Sequence, residues 1–243
     1  MDTRNWLDFG KRSLSLLFLG VLLSAAPAGA KGILFLTGAE GGGGGGTYNY
    51  YSFAGIVAPL AADSFGNGLV QKHWVEFLGY DYPVGDREIN ATALGLESAL
   101  GYRNGGDNGW VGAYAGLHYS NTWLSPDNPD SRVRGSQIRP LCQLEGERVL
   151  AADWRINGIA RYTFRSDSYW GRGRIMYRVY DRVYTGPEFI AHGDADYRAW
   201  QGGWFITGFE PRPDSSIGFK AGARKIENAE TSLYLGVEFS QMF

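Results

Sequence analysis

The stretch 168–179, SYWGRGRIMYRV, decides the fold class of this 243-residue chain. Successive side chains of a β-strand point to opposite faces. One face of this stretch would therefore carry Trp170, Arg172, Arg174, Met176 and Arg178. The opposite face would carry no charge, because it holds Tyr169, Gly171, Gly173, Ile175, Tyr177 and Val179. The pattern predicts a strand with one charged face and one uncharged face.

The same alternation recurs in 150–163, 215–224 and 232–243. A soluble sandwich or lipocalin-like barrel would bury the apolar face and expose the charges. A membrane barrel inverts this arrangement, with the charges in its lumen and the apolar side chains in lipid. The uncharged faces mix Gly and Ala with aromatic residues, where a packed core would hold Leu, Ile and Val. We therefore favour a transmembrane barrel that contacts outer-membrane lipid.

The C-terminus supports this interpretation. The chain ends on Phe243, and apolar residues stand at alternate positions before it, including Phe239. This arrangement resembles the assembly signal of bacterial outer-membrane barrels, so we expect the barrel assembly machinery to be a partner. Gln241 departs from the pattern, since that position is more often apolar.

The N-terminus predicts export. Lys11 and Arg12 precede the apolar run 14–23, and Ala28-Gly29-Ala30 follows. This is the order of a cleaved signal peptide, and the run is shorter than the ~20 residues of a membrane helix. A membrane protein without a long apolar segment can only be a barrel. We expect a signal peptide at 1–30 and one barrel domain at 31–243 in the bacterial outer membrane.

The predicted fold is all-β: a closed antiparallel up-and-down transmembrane barrel of about 12 strands, with 10 as the alternative. The predicted strands are 32–40, 48–58, 68–81, 88–102, 109–119, 137–147, 150–163, 168–179, 183–192, 197–209, 215–224 and 232–243. The segment 32–40 is the weakest of them. With Phe243 at the periplasmic end, the glycine run 41–46 and the longest connection, 120–136, both lie outside.

Polar and aromatic residues on the charged faces are the candidate lumen lining. They are Arg155, Arg161, Arg172, Arg174, Arg178, Glu188, Trp110, Tyr114 and Trp170. The charges can line a channel, or they can form a cross-strand network that fills the barrel. We favour the network, because acidic residues share these faces and uncompensated buried charges are costly. The three aromatic residues can stack on sugar rings or belong to the aromatic girdle of a membrane barrel.

Other features limit the chemistry. Cys142 is the only cysteine, which excludes an intrachain disulfide and a zinc site built from several cysteines. The net charge of −2 gives no basic face for nucleic acid. His118 and Ser120 are spaced for one strand face, but no acidic residue follows them in a hydrolase motif. We predict a protein without catalytic residues, metal or cofactor.

Several segments resemble the BcsS family of cellulose biosynthesis proteins. They are 168–174, 177–179, 186–188, 196–200 with Gly203 and 207–209, and, near the mature N-terminus, 38–40 and 50–55. The glycine run and the 120–136 connection depart from the family. The resemblance implies a non-enzymatic outer-membrane accessory of cellulose or exopolysaccharide biosynthesis or export, with no catalytic residues to carry over. Its expected partners are glucan chains or other components of cellulose synthesis.

Two other functions stay open at this point. One is an outer-membrane barrel enzyme acting on lipid or lipopolysaccharide. The other, weaker one is a soluble periplasmic binding barrel.

Overall fold

The computed structural model describes residues 32–44, 47–60, 65–227 and 230–243. The predicted signal peptide at 1–30 lies outside the described residues. Within these ranges, no helix is long and apolar enough to cross a membrane.

Twelve strands form one sheet. They are β1 (Leu34–Gly44), β2 (Thr47–Pro59), β3 (Gly68–Val84), β4 (Arg87–Gly106), β5 (Gly109–Ser125), β6 (Gly135–Ala151), β7 (Trp154–Thr163), β8 (Ser168–Tyr180), β9 (Val183–Gly193), β10 (Arg198–Phe209), β11 (Ser215–Ile226) and β12 (Thr231–Met242). Each strand pairs with its neighbours in the chain, and β1 also pairs with β12, which closes the barrel. The prediction of twelve strands is confirmed, and the alternative of ten is wrong.

The first strand completes the closure. β1 pairs with β12 from Leu34↔Met242 to Gly43↔Leu233, and with β2 from Leu34↔Val57 to Gly44↔Thr47. No sheet edge is left along these residues, so their backbone polar groups are satisfied within the wall, as a membrane requires.

The two faces of the wall are inverted relative to a soluble protein. On the outer face Leu233, Leu235 and Ile175 are 72%, 70% and 47% exposed. On the inner face Arg174 and Glu76 are only 8% and 6% exposed. This distribution is that of a membrane barrel, and it does not fit a soluble sandwich or a lipocalin-like barrel.

Glycines in the wall make room for rings inside the barrel. Phe53 and Trp74 stack with ring centroids 4.8 Å apart and an interplanar angle of 11°. A Cβ atom at Gly55 would lie 1.9 Å from the Trp74 ring, and one at Gly38 would lie 2.7 Å from the Phe53 ring. The rings therefore lie directly on the backbone of neighbouring strands, which keeps them close to the wall.

We call the end of the barrel that holds Phe243 the inner end and the opposite end the outer end. Turns 152–153 and 181–182 lie at the inner end, and the connection 126–134 lies at the outer end. The predicted connection 120–136 is too long, because β5 and β6 continue their pairing to Thr122↔Gly135.

The C-terminus is attached to the first described residues. The Phe243 backbone N–H donates to the Ile33 carbonyl at 2.9 Å, and the Phe243 carbonyl accepts from Gly32 and Ile33. The ring of Phe239 packs against Phe35 at 6.4 Å. Gln241, the departure from the assembly pattern, is 8% exposed, and its amide donates to the carbonyls of Pro213 and Asp214. A polar residue fits there because the 210–214 connection supplies acceptors.

Candidate functional site

The lumen holds a cavity of about 570 Å³ that is lined mainly by charged, polar and aromatic side chains. Two groups of ion pairs line its walls. We call them the Glu76 cluster and the Glu238 cluster.

The Glu76 cluster consists of Lys72, Glu76, Glu97, His118 and Arg161. Arg161 of β7 lies 2.9 Å from Glu76 of β3 and 3.1 Å from Glu97 of β4. Lys72 pairs with Glu97 at 2.8 Å, and His118 Nε2 lies 3.0 Å from Glu76. One guanidinium thus joins two acidic groups from different strands.

The Glu238 cluster consists of Arg172, Arg174, Glu188, Lys220 and Glu238. Arg174 pairs with Glu188 at 2.5 Å and with Glu238 at 3.0 Å. Arg172 pairs with Glu238 at 2.9 Å, while Lys220 lies 3.8 Å from Glu188. These contacts connect β8 with β9, β11 and β12.

Glu40 of β1 extends the Glu238 cluster toward the outer end. It pairs with Lys220 at 2.8 Å and also with Arg224. Gln201 of β10 donates to the same carboxylate at 2.6 Å. The walls of the lumen are therefore held by buried charges of both signs, an arrangement in which each charge needs its partners.

The structure places the predicted arginines and Glu188 at different depths. Arg161, Arg172, Arg174 and Glu188 belong to the two clusters. Arg155 lies nearer the inner end, pairs with Glu147 at 2.8 Å, and has a side chain 37% exposed. Arg178 lies at the inner rim rather than along the lumen, because it is close to the end of β8 and pairs at 2.6 Å with Asp153 of the adjacent turn.

The predicted aromatic residues point into the barrel. The Tyr114 hydroxyl donates to Glu145 at 2.7 Å, and Trp170 lines the cavity. The Trp110 ring lies 3.9 Å from the guanidinium carbon of Arg103, which also lies over Phe65 at 4.5 Å. Sequence reasoning missed Arg103 because the predicted strand ended at 102, although its position continues the inward face of β4.

An aromatic and aliphatic cluster joins opposite walls at the outer end. We call it the outer cluster: Tyr80, Tyr82, Ile89, Ala91, Tyr197, Ala199 and Ile226. Its members come from β3, β4, β10, β11 and the residue before β10. Since β4 and β10 lie six strands apart in either direction around the barrel, the cluster spans the lumen and obstructs it.

The connection 126–134 is fixed beside the outer cluster. Ser131 Oγ donates to Asp196 at 2.6 Å, and the Arg132 backbone N–H donates to the same carboxylate at 3.2 Å. Arg139 of β6 donates to the Arg132 carbonyl at 2.9 Å, and Val133 is buried. This connection therefore folds toward the mouth and is tied to the β9–β10 connection.

Asp194 of the β9–β10 connection lies at this obstruction. The Tyr80 hydroxyl donates to its carboxylate at 3.4 Å, and the Asp196 backbone N–H donates to it at 2.8 Å. Burial, together with the nearby Asp196 charge, raises the pKa of Asp194 to about 6. Its protonation state therefore changes around pH 6.

Two apolar clusters lie in the barrel toward the inner end: Val57, Val70, Ala99 and Tyr114 form one, and Met176, Tyr184 and Phe205 form the other. An open recess, which we call the inner recess, lies there beside the β4–β5 connection and is formed by parts of β4, β5, β6, β7 and β8. Its lining includes Val111, Leu144 and Ile156, which face outward. Trp110, Glu145, Glu147, Asn157, Ile159 and Arg172 line both this recess and the lumen cavity. The two spaces therefore adjoin the same part of the wall.

The His118–Ser120 pair does not form a hydrolase arrangement. His118 does have an acidic partner, Glu76. Because Glu76 belongs to β3, the sequence around His118 does not reveal this pair. The Ser120 hydroxyl, however, accepts from Arg139 at 3.4 Å, and no hydrogen bond joins it to His118. Within the described ranges, no group of three His, Cys, Asp or Glu side chains is placed to hold a metal ion.

Solved structures with the same fold are outer-membrane-type barrels. The translocator domain of autotransporter NalP from Neisseria meningitidis has a TM-score of 0.53 at 12% identity, covering 96% of this chain and 96% of that one. The TodX monoaromatic hydrocarbon channel deltaS2 mutant has a TM-score of 0.52 at 8% identity, covering 91% and 92%. The transport unit of autotransporter AIDA-I from Escherichia coli has a TM-score of 0.51 at 6% identity, covering 88% and 90%. At these identities the likeness extends to the fold alone.

Sequence comparison identifies the family. A search of curated protein sequences found no match. The profile of the family described as cellulose biosynthesis protein BcsS matches residues 42–243, which is most of the barrel. The chain belongs to the BcsS family of cellulose biosynthesis proteins.

Proposed function

We propose that this protein is a non-enzymatic accessory of cellulose biosynthesis or export that resides in the outer membrane after cleavage of its signal peptide behind Ala30. Family membership supports the link to cellulose. The inverted faces of the barrel support residence in a membrane.

One observation carries the accessory role: charges of both signs and the outer cluster occupy the lumen. A conduit for a growing polymer would need an unobstructed path. The outer cluster instead blocks the outer end of this barrel, which suits a protein that meets glucan or other synthesis components on the periplasmic side.

The alternative is a barrel enzyme acting on lipid or lipopolysaccharide. Its best candidate nucleophile, Ser120, is bonded to Arg139 and not to His118. We therefore expect Ser120→Ala to leave cellulose production unchanged, whereas an enzyme with this nucleophile would lose its function.

Deletion and complementation in the native host test the proposal. Loss of the gene should lower the cellulose recovered from cells, and the full chain should restore it. Fractionation of the complemented cells should place the protein in the outer membrane, with different gel mobilities before and after boiling. Unchanged cellulose in the deletion strain would overturn the proposed function.

A further inference from the structure

The inner recess and the adjoining part of the lumen cavity combine free space with unmatched polar groups. The recess shares lining residues with the lumen cavity, and the outer cluster obstructs the far end of that cavity. A ligand that enters from the periplasmic side therefore meets a closed pocket and not a passage. The cavity of about 570 Å³ lies within the ~300–1,000 Å³ range of small-ligand sites.

Three side chains of this region hold buried polar atoms without hydrogen-bond partners among the described residues. The atoms are Nε and Nη1 of Arg103, Nε of Arg172 and Oδ1 of Asn157. Arg103 is only 5% exposed, and its guanidinium is stacked between Trp110 and Phe65. Buried polar groups are normally hydrogen-bonded, so this combination fits a place where a ligand supplies the missing bonds.

The chemistry of these groups specifies the ligand. The two guanidinium groups need acceptors, while the Asn157 oxygen needs a donor. A carboxylate or phosphate would satisfy only the arginines, and Glu145 and Glu147 on the same wall would repel it. A hydroxyl group both donates and accepts, and the Trp110 ring offers an apolar surface to the C–H groups of a sugar.

We propose that the inner recess, together with the adjoining part of the lumen cavity that Arg103 lines, binds a short β-1,4-linked glucose oligosaccharide, held by Trp110, Arg103, Asn157 and Arg172. The choice of glucose units rests on the proposed function, while the preference for a neutral, hydroxyl-rich ligand rests on the recess itself. The bound segment enters from the inner end and stops below the outer cluster.

Binding of cellotetraose to the purified full chain in detergent tests this site, with calorimetry as the readout and maltotetraose as the control sugar. Trp110→Leu and Asn157→Leu should each weaken cellotetraose binding at least tenfold. Trp123→Leu is the matched control, because Trp123 lies on the same strand but faces outward and is 48% exposed. It should bind like the unaltered protein. A shift in gel mobility on boiling verifies that each variant is folded.

The possible results separate the proposed binding site from the proposed function. No saturable binding, equal binding of both sugars, or unchanged binding by both recess variants overturns the proposed site. If binding is absent while gene deletion still lowers cellulose, the recess assignment fails and the accessory function stands. If binding is present while deletion leaves cellulose unchanged, the proposed function fails and the saccharide site stands.

Discussion

The rings of Tyr80 and Tyr197 lie 4.6 Å apart, although β3 and β10 belong to distant parts of the barrel wall. Around the ring of strands five steps separate β3 from β10 on the shorter path. The contact therefore crosses the lumen. Together with the 126–134 connection, it makes the outer end the obstructed end of this barrel.

The obstruction should respond to pH through Asp194. The pKa of this carboxyl is raised to about 6 by burial, and also by Asp196, from an ordinary value of 3.8. A raised carboxyl pKa means that the ionised form is disfavoured in the closed structure. The closed state is therefore most stable below pH ~4 and loses stability as the pH rises through about 6, by no more than about 3 kcal/mol.

Thermal unfolding of the detergent-solubilised protein between pH 4 and 8 measures this effect. Tyr80, Asp196, Tyr197 and Arg139 also face Asp194 or interact with its charge, so the comparison needs a variant that changes Asp194 alone. Asp194→Asn should flatten the part of the pH profile between about 4 and about 6. An identical profile for both proteins would contradict the assignment.

Substitutions on the two faces of β8 should destabilise the barrel for different reasons. Ile175→Arg places a charge in lipid, at a cost of ~2–4 kcal/mol near the midplane. From sequence alone, Arg174→Gln is expected to cost less. The structure predicts a larger cost, because Glu188 has a fully buried side chain whose closest cation is Arg174, and breaking a buried pair costs about 3–5 kcal/mol.

Urea unfolding of folded barrels in lipid vesicles compares these variants. We expect Arg174→Gln to destabilise at least as much as Ile175→Arg. The double variant Arg174→Gln, Glu188→Gln should regain part of the loss, since it removes the unpaired charge. If Arg174→Gln is nearly neutral, the buried pair does not hold the wall as described.

Phe243 should act through its ring during assembly. The backbone of Phe243 bonds to Gly32 and Ile33, and these bonds are retained when only the side chain changes. Phe243→Ala should lower the amount of barrel in the membrane several-fold, and Phe243→Trp, which keeps an aromatic ring, should not. Quantitative blotting of membrane fractions measures the difference. Equal amounts of all three proteins would show that the ring carries no signal.

Local patterns predict most of the wall, because side-chain alternation follows from strand geometry alone. The inward side of β8 is set in this way by the spacing of Arg172 and Arg174, and a charged lumen follows. Which charged residues pair with one another does not follow from these local patterns. Glu76 and Arg161 are 85 positions apart and meet only because the barrel closes.

Contacts that cross the lumen are the hardest to anticipate. Tyr80 and Tyr197 each fit an ordinary strand or turn pattern, and nothing local indicates that they meet. Arg103 was missed for a different reason: β4 continues past the predicted boundary at 102 to Gly106. Its stacking between Trp110 and Phe65 also depends on two elements whose proximity is set by the fold.

Conductance across planar lipid bilayers tests the central claim, an obstructed outer end, most directly. The full-length barrel should show little or no steady conductance at neutral pH, and the double variant Tyr80→Ala, Tyr197→Ala should conduct at least several-fold more. Tyr102→Ala serves as the control, because Tyr102 faces outward and is 56% exposed, and it should behave like the unaltered protein. A stable open-pore conductance in the unaltered barrel, unchanged in the double variant, would contradict the account.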